Sequence, residues 1–100
     1  MSVASALSSD GKVLTISVNG RFDFSAHQAF REAYENLDST PTEIVVDMVD
    51  TTYLDSSALG MLLLLRDHAG GDSSNIVLRN CNEDIKKILA ISNFEQLFKI

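Results

Sequence analysis

Hydrophobic and polar positions alternate with period two near the start of the chain. In "KVLTISVNG" (12–20), Leu14, Ile16 and Val18 alternate with Val13, Thr15 and Ser17. That pattern predicts a half-buried strand ending at Gly20. "SVASAL" (2–7) precedes it across the turn-forming "SSDGK" (8–12), and the two are expected to pair as a hairpin. The period then lengthens. In "FSAHQAFREAYENL" (24–37), Ala26, Ala29, Phe30, Ala33, Tyr34 and Leu37 recur at helical spacing. Ser25, with Gln28 three residues on, predicts a capping box at the start, and the helix ends before Pro41, the only proline. "EIVVDMVD" (43–50) opens on a continuous apolar run that suits an interior strand covered on both faces. A helix is expected from Ser56 to about Ala69, stopped by Gly70 and Gly71. "NIVLRN" (75–80) reads as a strand. "NEDIKKILAIS" (82–92) reads as a helix with Asn82 at its N-cap and Ile85, Ile88 and Leu89 as its apolar stripe. "FEQLFKI" (94–100) fits either a short closing strand or a helical tail.

Strands alternating with helices predict an α/β domain. Residues 1–100 are expected to form a single domain, with a central mixed sheet of about four to five strands flanked by about three to four helices.

Charge removes several partners. Eight Lys and Arg face fourteen Asp and Glu, for a net charge of −6. Nucleic acids and anionic membranes select clustered cations, so neither is an expected partner. The acidity favours steering toward a basic protein surface. Cys81 is the only cysteine, which excludes a disulfide within the chain and argues against a cysteine-based zinc site. The first residues lack the basic, then apolar, pattern of a signal peptide. "MLLLL" (61–65) is far shorter than the roughly 18 residues of a membrane helix. The cytoplasm is therefore the expected location.

The segment "YLDSSALGMLLLLRDH" (53–68) carries the most information. Ser56 falls at or next to the N-cap of its helix, and Asp55 adds negative charge at the positive helix end. Capping alone is one complete account of Asp55, Ser56 and Ser57. The helix behind them is harder to account for. Leu59, Leu62, Leu63 and Arg66 cover one face, and Ala58, Met61, Leu64, Leu65 and His68 cover much of the rest. Such a helix is either enclosed between the sheet and a neighbour or presented to a partner. A phosphate on Ser56 would sit where free backbone N–H groups favour an anion. It would add nearly two negative charges beside Asp55, enough to repel a docked partner. The residues alone do not separate Ser56 from Ser57 as its acceptor.

This segment resembles the D-S-S-G-L-G signature of STAS domains, as found in bacterial anti-sigma factor antagonists. "VNGRFDFSAHQAFREAY" resembles that family's G-x-[LF]-D segment and the helix after it. "EIVVDMVDTTYLDSS" matches its approach to the serine, and "ISNFEQLFKI" its closing segment. The similarity spans essentially the whole chain. It implies a STAS-like fold and partner switching that regulates transcription. The unphosphorylated protein would bind an anti-sigma factor, often a serine protein kinase. Phosphorylation of the first serine, here Ser56 with Ser57 as second choice, would release it, and a PP2C-like phosphatase would reset the switch. The resemblance also implies that Asp23 and Phe22, near that serine, face the partner together with Asp55, Ser57, Ala58, Leu59 and Met61. A monomer or weak dimer is expected. The chain departs from the family at Ala58, where glycine is usual; the added methyl is expected to narrow partner choice. The same fold also serves as a constitutive interaction subunit in larger assemblies such as transport complexes.

Two catalytic alternatives fit less well. As a nucleophile, Ser56 would need His27 or His68 as base. There is no G-x-S-x-G elbow, and His68 lies three helical turns away, roughly 18 Å at 1.5 Å per residue. Asp23, Asp47, Asp50 and Asp55 would suit Mg²⁺ if they met at strand ends, but the final segment offers only Lys99 as a companion cation. No catalytic residue, metal or cofactor is therefore expected. "AGGDSS" (69–74) lacks the lysine of a phosphate-binding loop, and Cys81 reads as a small core filler.

Overall fold

The computed structural model describes residues 2–37 and 40–100. Strand β1 (Ser2–Leu7) turns into β2 (Val13–Phe22), and the two pair antiparallel from Ser2 opposite Asn19 to Leu7 opposite Leu14. Asp10 holds the turn by accepting from the Ser8 hydroxyl at 2.7 Å and the Lys12 N–H at 3.0 Å. A 3₁₀ turn (Phe24–Ala26) leads into helix α1 (His27–Glu35). Then follow β3 (Glu43–Asp47), β4 (Thr51–Leu54), α2 (Ser56–His68), β5 (Ile76–Arg79) and α3 (Glu83–Ile91). The sheet runs β1-β2-β3-β5, with β4 beside the end of β2. Every pair except β1–β2 is parallel, so the sheet is mixed, as expected.

The alternation in β2 sets the core. Leu14 and Ile16 pair with Ile44 and Val46 of β3, which pair with Ile76 and Leu78 of β5. These side chains share one sheet face and one buried cluster with Phe30 and Tyr34 of α1, four residues of α2, and Ile85 and Leu89 of α3. Val45 is also buried, but it lies on the opposite face and outside that cluster.

Five local readings change. The strand expected to end at Gly20 runs on to Phe22. The Ser25–Gln28 capping box does not form: the Asp23 carboxylate takes the Ser25 N–H instead, and the regular helix starts only at His27. Gln28 donates to Glu32, one turn along. The strand expected over 43–50 ends at Asp47, whose carboxylate accepts the Val49 N–H at 3.1 Å and bends the chain. A strand the sequence did not suggest, β4, follows this bend. The closing segment is neither a full strand nor a full helix. A 3₁₀ turn at Phe94–Gln96 buries Phe94 and Phe98 with rings 5.4 Å apart, and Lys99 then makes one isolated bridge to Val77.

Strand β2 changes partners at Gly20. Before it, β2 pairs with β3; after it, with β4. The register shifts between Gly20 and Arg21, and Gly20 adopts φ 88°, a backbone that strains any residue with a Cβ. The Gly20 N–H bonds the Asp50 carbonyl at 2.9 Å, and the buried Thr51 hydroxyl bonds the Val18 carbonyl at 2.6 Å. This junction carries the ends of β2 and β4 to the same rim.

Candidate functional site

Phe22 pairs with Leu54 across the β2–β4 ladder, and both are buried. The next residue on each strand is an aspartate in extended conformation, with φ −135° at Asp23 and −124° at Asp55. Each aspartate folds onto a serine two residues on. Asp23 accepts the Ser25 N–H at 3.0 Å and the Ser25 hydroxyl. Asp55 accepts the Ser57 N–H at 3.0 Å, the Ser57 hydroxyl at 2.6 Å and the Ala58 N–H at 3.2 Å. Asp55 is thus the N-cap of α2, and Ser56 is its first helical residue.

These bonds tune both carboxyls in the same direction. The Ser25 hydroxyl is the main cause that holds Asp23 below the ordinary carboxylate range, and the Ser57 hydroxyl is the main cause for Asp55. The charge of Asp23 works against the second shift, so the two carboxylates sense one another. Both stay ionised at neutral pH.

The middle residue of each turn points outward. Phe24 is 72% exposed and stacks on His27 with ring centroids 5.4 Å apart. Ser56 is exposed, and among the described residues its hydroxyl makes no hydrogen bond, whereas the Ser57 hydroxyl is held by Asp55. Beside them, the Arg21 guanidinium lies 3.9 Å over the Tyr53 ring, and its Nε reaches Asp23 at 3.4 Å.

Helix α2 separates its residues more sharply than its composition implies. Ala58, Met61, Leu62 and Leu65 are buried, and the half-buried Leu59 packs against them. Ser56, Gly60, Leu63, Leu64 and Asp67 face outward, with Leu63 42% and Leu64 54% exposed. This corrects part of the expected partner surface. Phe22 and Ala58 are fully buried and Met61 is 4% exposed, so their side chains belong to the core rather than to a docking face. The methyl of Ala58 likewise faces inward and does not narrow partner choice by contact. Asp23, Asp55, Ser56, Ser57 and Leu59 retain surface at the rim.

Two residues at this rim were not singled out from the sequence, Arg21 and Phe24; Tyr53, expected as a core or rim residue, lies at the rim, 39% exposed. The signal was the alternation of β2, which continues past Gly20 and puts Arg21 and Asp23 on the side opposite buried Phe22. Reading it required β4.

The catalytic alternatives find no assembly. His27 stacks on Phe24, and His68 lies against Tyr34 with ring centroids 5.0 Å apart. Asp47 is engaged by the Val49 N–H and by Asn80. Among the described residues, no three His, Cys, Asp or Glu side chains gather to hold a metal ion. No described helix is long and apolar enough to cross a membrane.

A five-stranded mixed sheet with a serine at the start of helix α2 is the arrangement that the STAS resemblance implies. The family described as "Mlab, STAS domain" matches residues 5–99. A STAS-domain-containing protein of Pseudomonas aeruginosa (strain UCBPP-PA14) is 63% identical over 100 residues, covering 100% of this chain and 99% of that protein. The chain belongs to the STAS-domain family. Among solved structures, the anti-sigma factor antagonist SpoIIAA in its unphosphorylated form superposes with a TM-score of 0.79 at 17% identity, covering 97% of this chain and 85% of that one. A sulfate transporter family protein from Wolinella succinogenes gives 0.74 at 15% identity, covering 92% and 84%. At these identities both share the fold.

Proposed function

We propose that this protein is a phosphorylation-controlled binding module of the anti-sigma factor antagonist type, acting in the cytoplasm without catalysis of its own. One observation carries the reading. Of the two adjacent serines, Ser57 is committed to Asp55, while Ser56 offers an exposed, unengaged hydroxyl at the helix start. A kinase moves the terminal phosphoryl group of a nucleoside triphosphate to the Ser56 oxygen; the nucleoside diphosphate leaves as the O–P bond forms, and the hydroxyl proton is lost to a base of the kinase or to solvent. The fold accommodates the product because Ser56 is exposed and the dipole of α2 favours an anion at its start, although the Ser57 and Ala58 N–H groups are already held by Asp55. The partner does not, because nearly two charges join Asp23 and Asp55 at the rim. The partner is an anti-sigma factor that is itself a serine kinase, and a PP2C-like phosphatase restores the hydroxyl. The acidic rim, with Leu63 and Leu64 exposed about two turns further along α2, suits a partner that carries both basic and apolar contact surface.

A constitutive subunit of a transport assembly is the second reading, favoured by the fold shared with the sulfate transporter family protein. Affinity capture from host lysate decides between them, with wild type, Ser56→Ala and Ser56→Asp as baits. A kinase-like or anti-sigma protein held by Ser56→Ala and lost from Ser56→Asp supports the switch. The same proteins on all three baits would leave only the constitutive subunit.

A further inference from the structure

We propose that Arg21 is the chain's own receiver for the phosphoryl group on Ser56, leaving Asp23 when that group arrives. The inference rests on Ser56 being the phosphorylated residue and adds how the surface responds. Alternation around buried Phe22 and Leu54 puts Arg21, Asp23, Tyr53 and Asp55 on one side of the β2–β4 pair. Arg21 pairs with Tyr53 in the register, and Asp23 and Asp55 follow the next pair, so the four share the rim at which the chain passes from Asp55 into Ser56. In the unmodified protein the ion pair between the Arg21 guanidinium and Asp23 is weak. The contact is a single 3.4 Å approach, and the Arg21 side chain is 62% exposed. Asp23 is meanwhile engaged by the Ser25 N–H and hydroxyl. It therefore loses little when the guanidinium leaves.

Tyr53 supplies the pre-organisation. Stacking at 3.9 Å holds the flat guanidinium at the rim, which lowers the entropy lost in making a new pair. A phosphate offers three acceptor oxygens and close to two charges, against one charge already shared at Asp23. Paired, fork-like hydrogen bonds to phosphate are the stronger arrangement. Phosphorylation then does two things at once. It adds an anion, and it withdraws from the partner-facing surface the cation that had offset Asp23.

The test needs neither kinase nor partner, so its outcome is independent of the capture experiment. The chain is produced with phosphoserine incorporated at position 56, as wild type, Arg21→Gln and Arg21→Lys, and each is checked for folding by circular dichroism. Phosphorus NMR follows the phosphate titration, and nitrogen–proton NMR follows the Arg21 side-chain Nε. With Arg21 present, the phosphate is expected to titrate about one pH unit lower than in Arg21→Gln, with Arg21→Lys between them. The Arg21 Nε resonance is expected to shift as the phosphate ionises. A phosphate that titrates identically in wild type and Arg21→Gln, with an Arg21 Nε signal indifferent to pH, would overturn the proposal. The wild-type Nε signal alone decides the matter if either variant fails to fold.

Discussion

Asp23 and Asp55 sit side by side, each one residue beyond the buried Phe22–Leu54 pair, and each folds back on the serine two positions along. The chain therefore builds the same Asp-x-Ser turn twice at one rim. In both copies the third residue is spent on structure and the second is left at the surface. That division of labour predicts unequal effects for the two neighbouring serines. Ser57→Ala removes a hydroxyl that Asp55 accepts at 2.6 Å, and is expected to lower the urea midpoint. Ser56→Ala removes an exposed, unengaged hydroxyl and is expected to leave it unchanged. Urea melts of both variants check this, and a larger loss in Ser56→Ala would mean that Ser56 is the structural member of the pair.

The same bonds predict an acid limit. The Ser57 hydroxyl first, then the Ala58 and Ser57 N–H groups, hold the Asp55 carboxyl below its ordinary 3.8. A carboxyl whose pKa falls on folding contributes stability above its unfolded pKa and loses it as pH drops through the folded value. Stability is therefore expected to be level from neutral pH down to about 4 and to fall below it. In Asp55→Asn the fall should be shallower, since that group no longer titrates. Chemical denaturation at several pH values measures it, and parallel curves for the two proteins would remove Asp55 as a cause.

Helix α2 predicts a split among its apolar residues. Met61→Asp places a charge at a position only 4% exposed and is expected to unfold the domain. Leu62→Ala, at a fully buried position, is expected to cost about 2–5 kcal/mol. Leu64→Asp alters a residue that is 54% exposed, so the fold should persist while partner binding falls. Circular dichroism with a thermal melt separates these cases. Unfolding by Leu64→Asp would return that leucine to the core.

Most of the fold was legible because its signals are local. The alternation of Leu14, Ile16 and Val18, the helical spacing of Ala26 to Tyr34 and the capping residue Asn82 each act over a few neighbours. Asn82 does accept the Ile85 N–H, at 2.9 Å. What stayed hidden depends on long-range pairing. Strand β4 has only four residues, two of them exposed, and becomes a strand by lying against the end of β2. Without it, Arg21 and Tyr53 are unrelated residues, and Asp23 and Asp55 are two separate caps. The inward side of α2 was hidden for a different reason. A helix with leucine on every side does not say which leucines are buried, so Met61 read as a surface residue until packing placed it in the core.

Gly60 gives the last prediction. It lies mid-helix on the outward side of α2, one turn beyond Ser56 and one turn before Leu63 and Leu64. A Cβ built there meets nothing within 4 Å, so packing inside the protein does not require glycine. Glycine inside a helix costs about 0.5–1 kcal/mol relative to alanine. Gly60→Ala is thus expected to stabilise the free protein, raising the thermal midpoint by about 4–8 °C per kcal/mol gained in a domain of this size. A residue that weakens the free fold with no internal need is best explained by a partner's close approach to the bare helix backbone. Gly60→Ala should therefore weaken binding of the protein captured by Ser56→Ala while strengthening the fold. Calorimetry of the free chain and a titration with that partner read the two effects separately. A variant that is more stable and binds unchanged would show that the docking face does not cross α2 at Gly60.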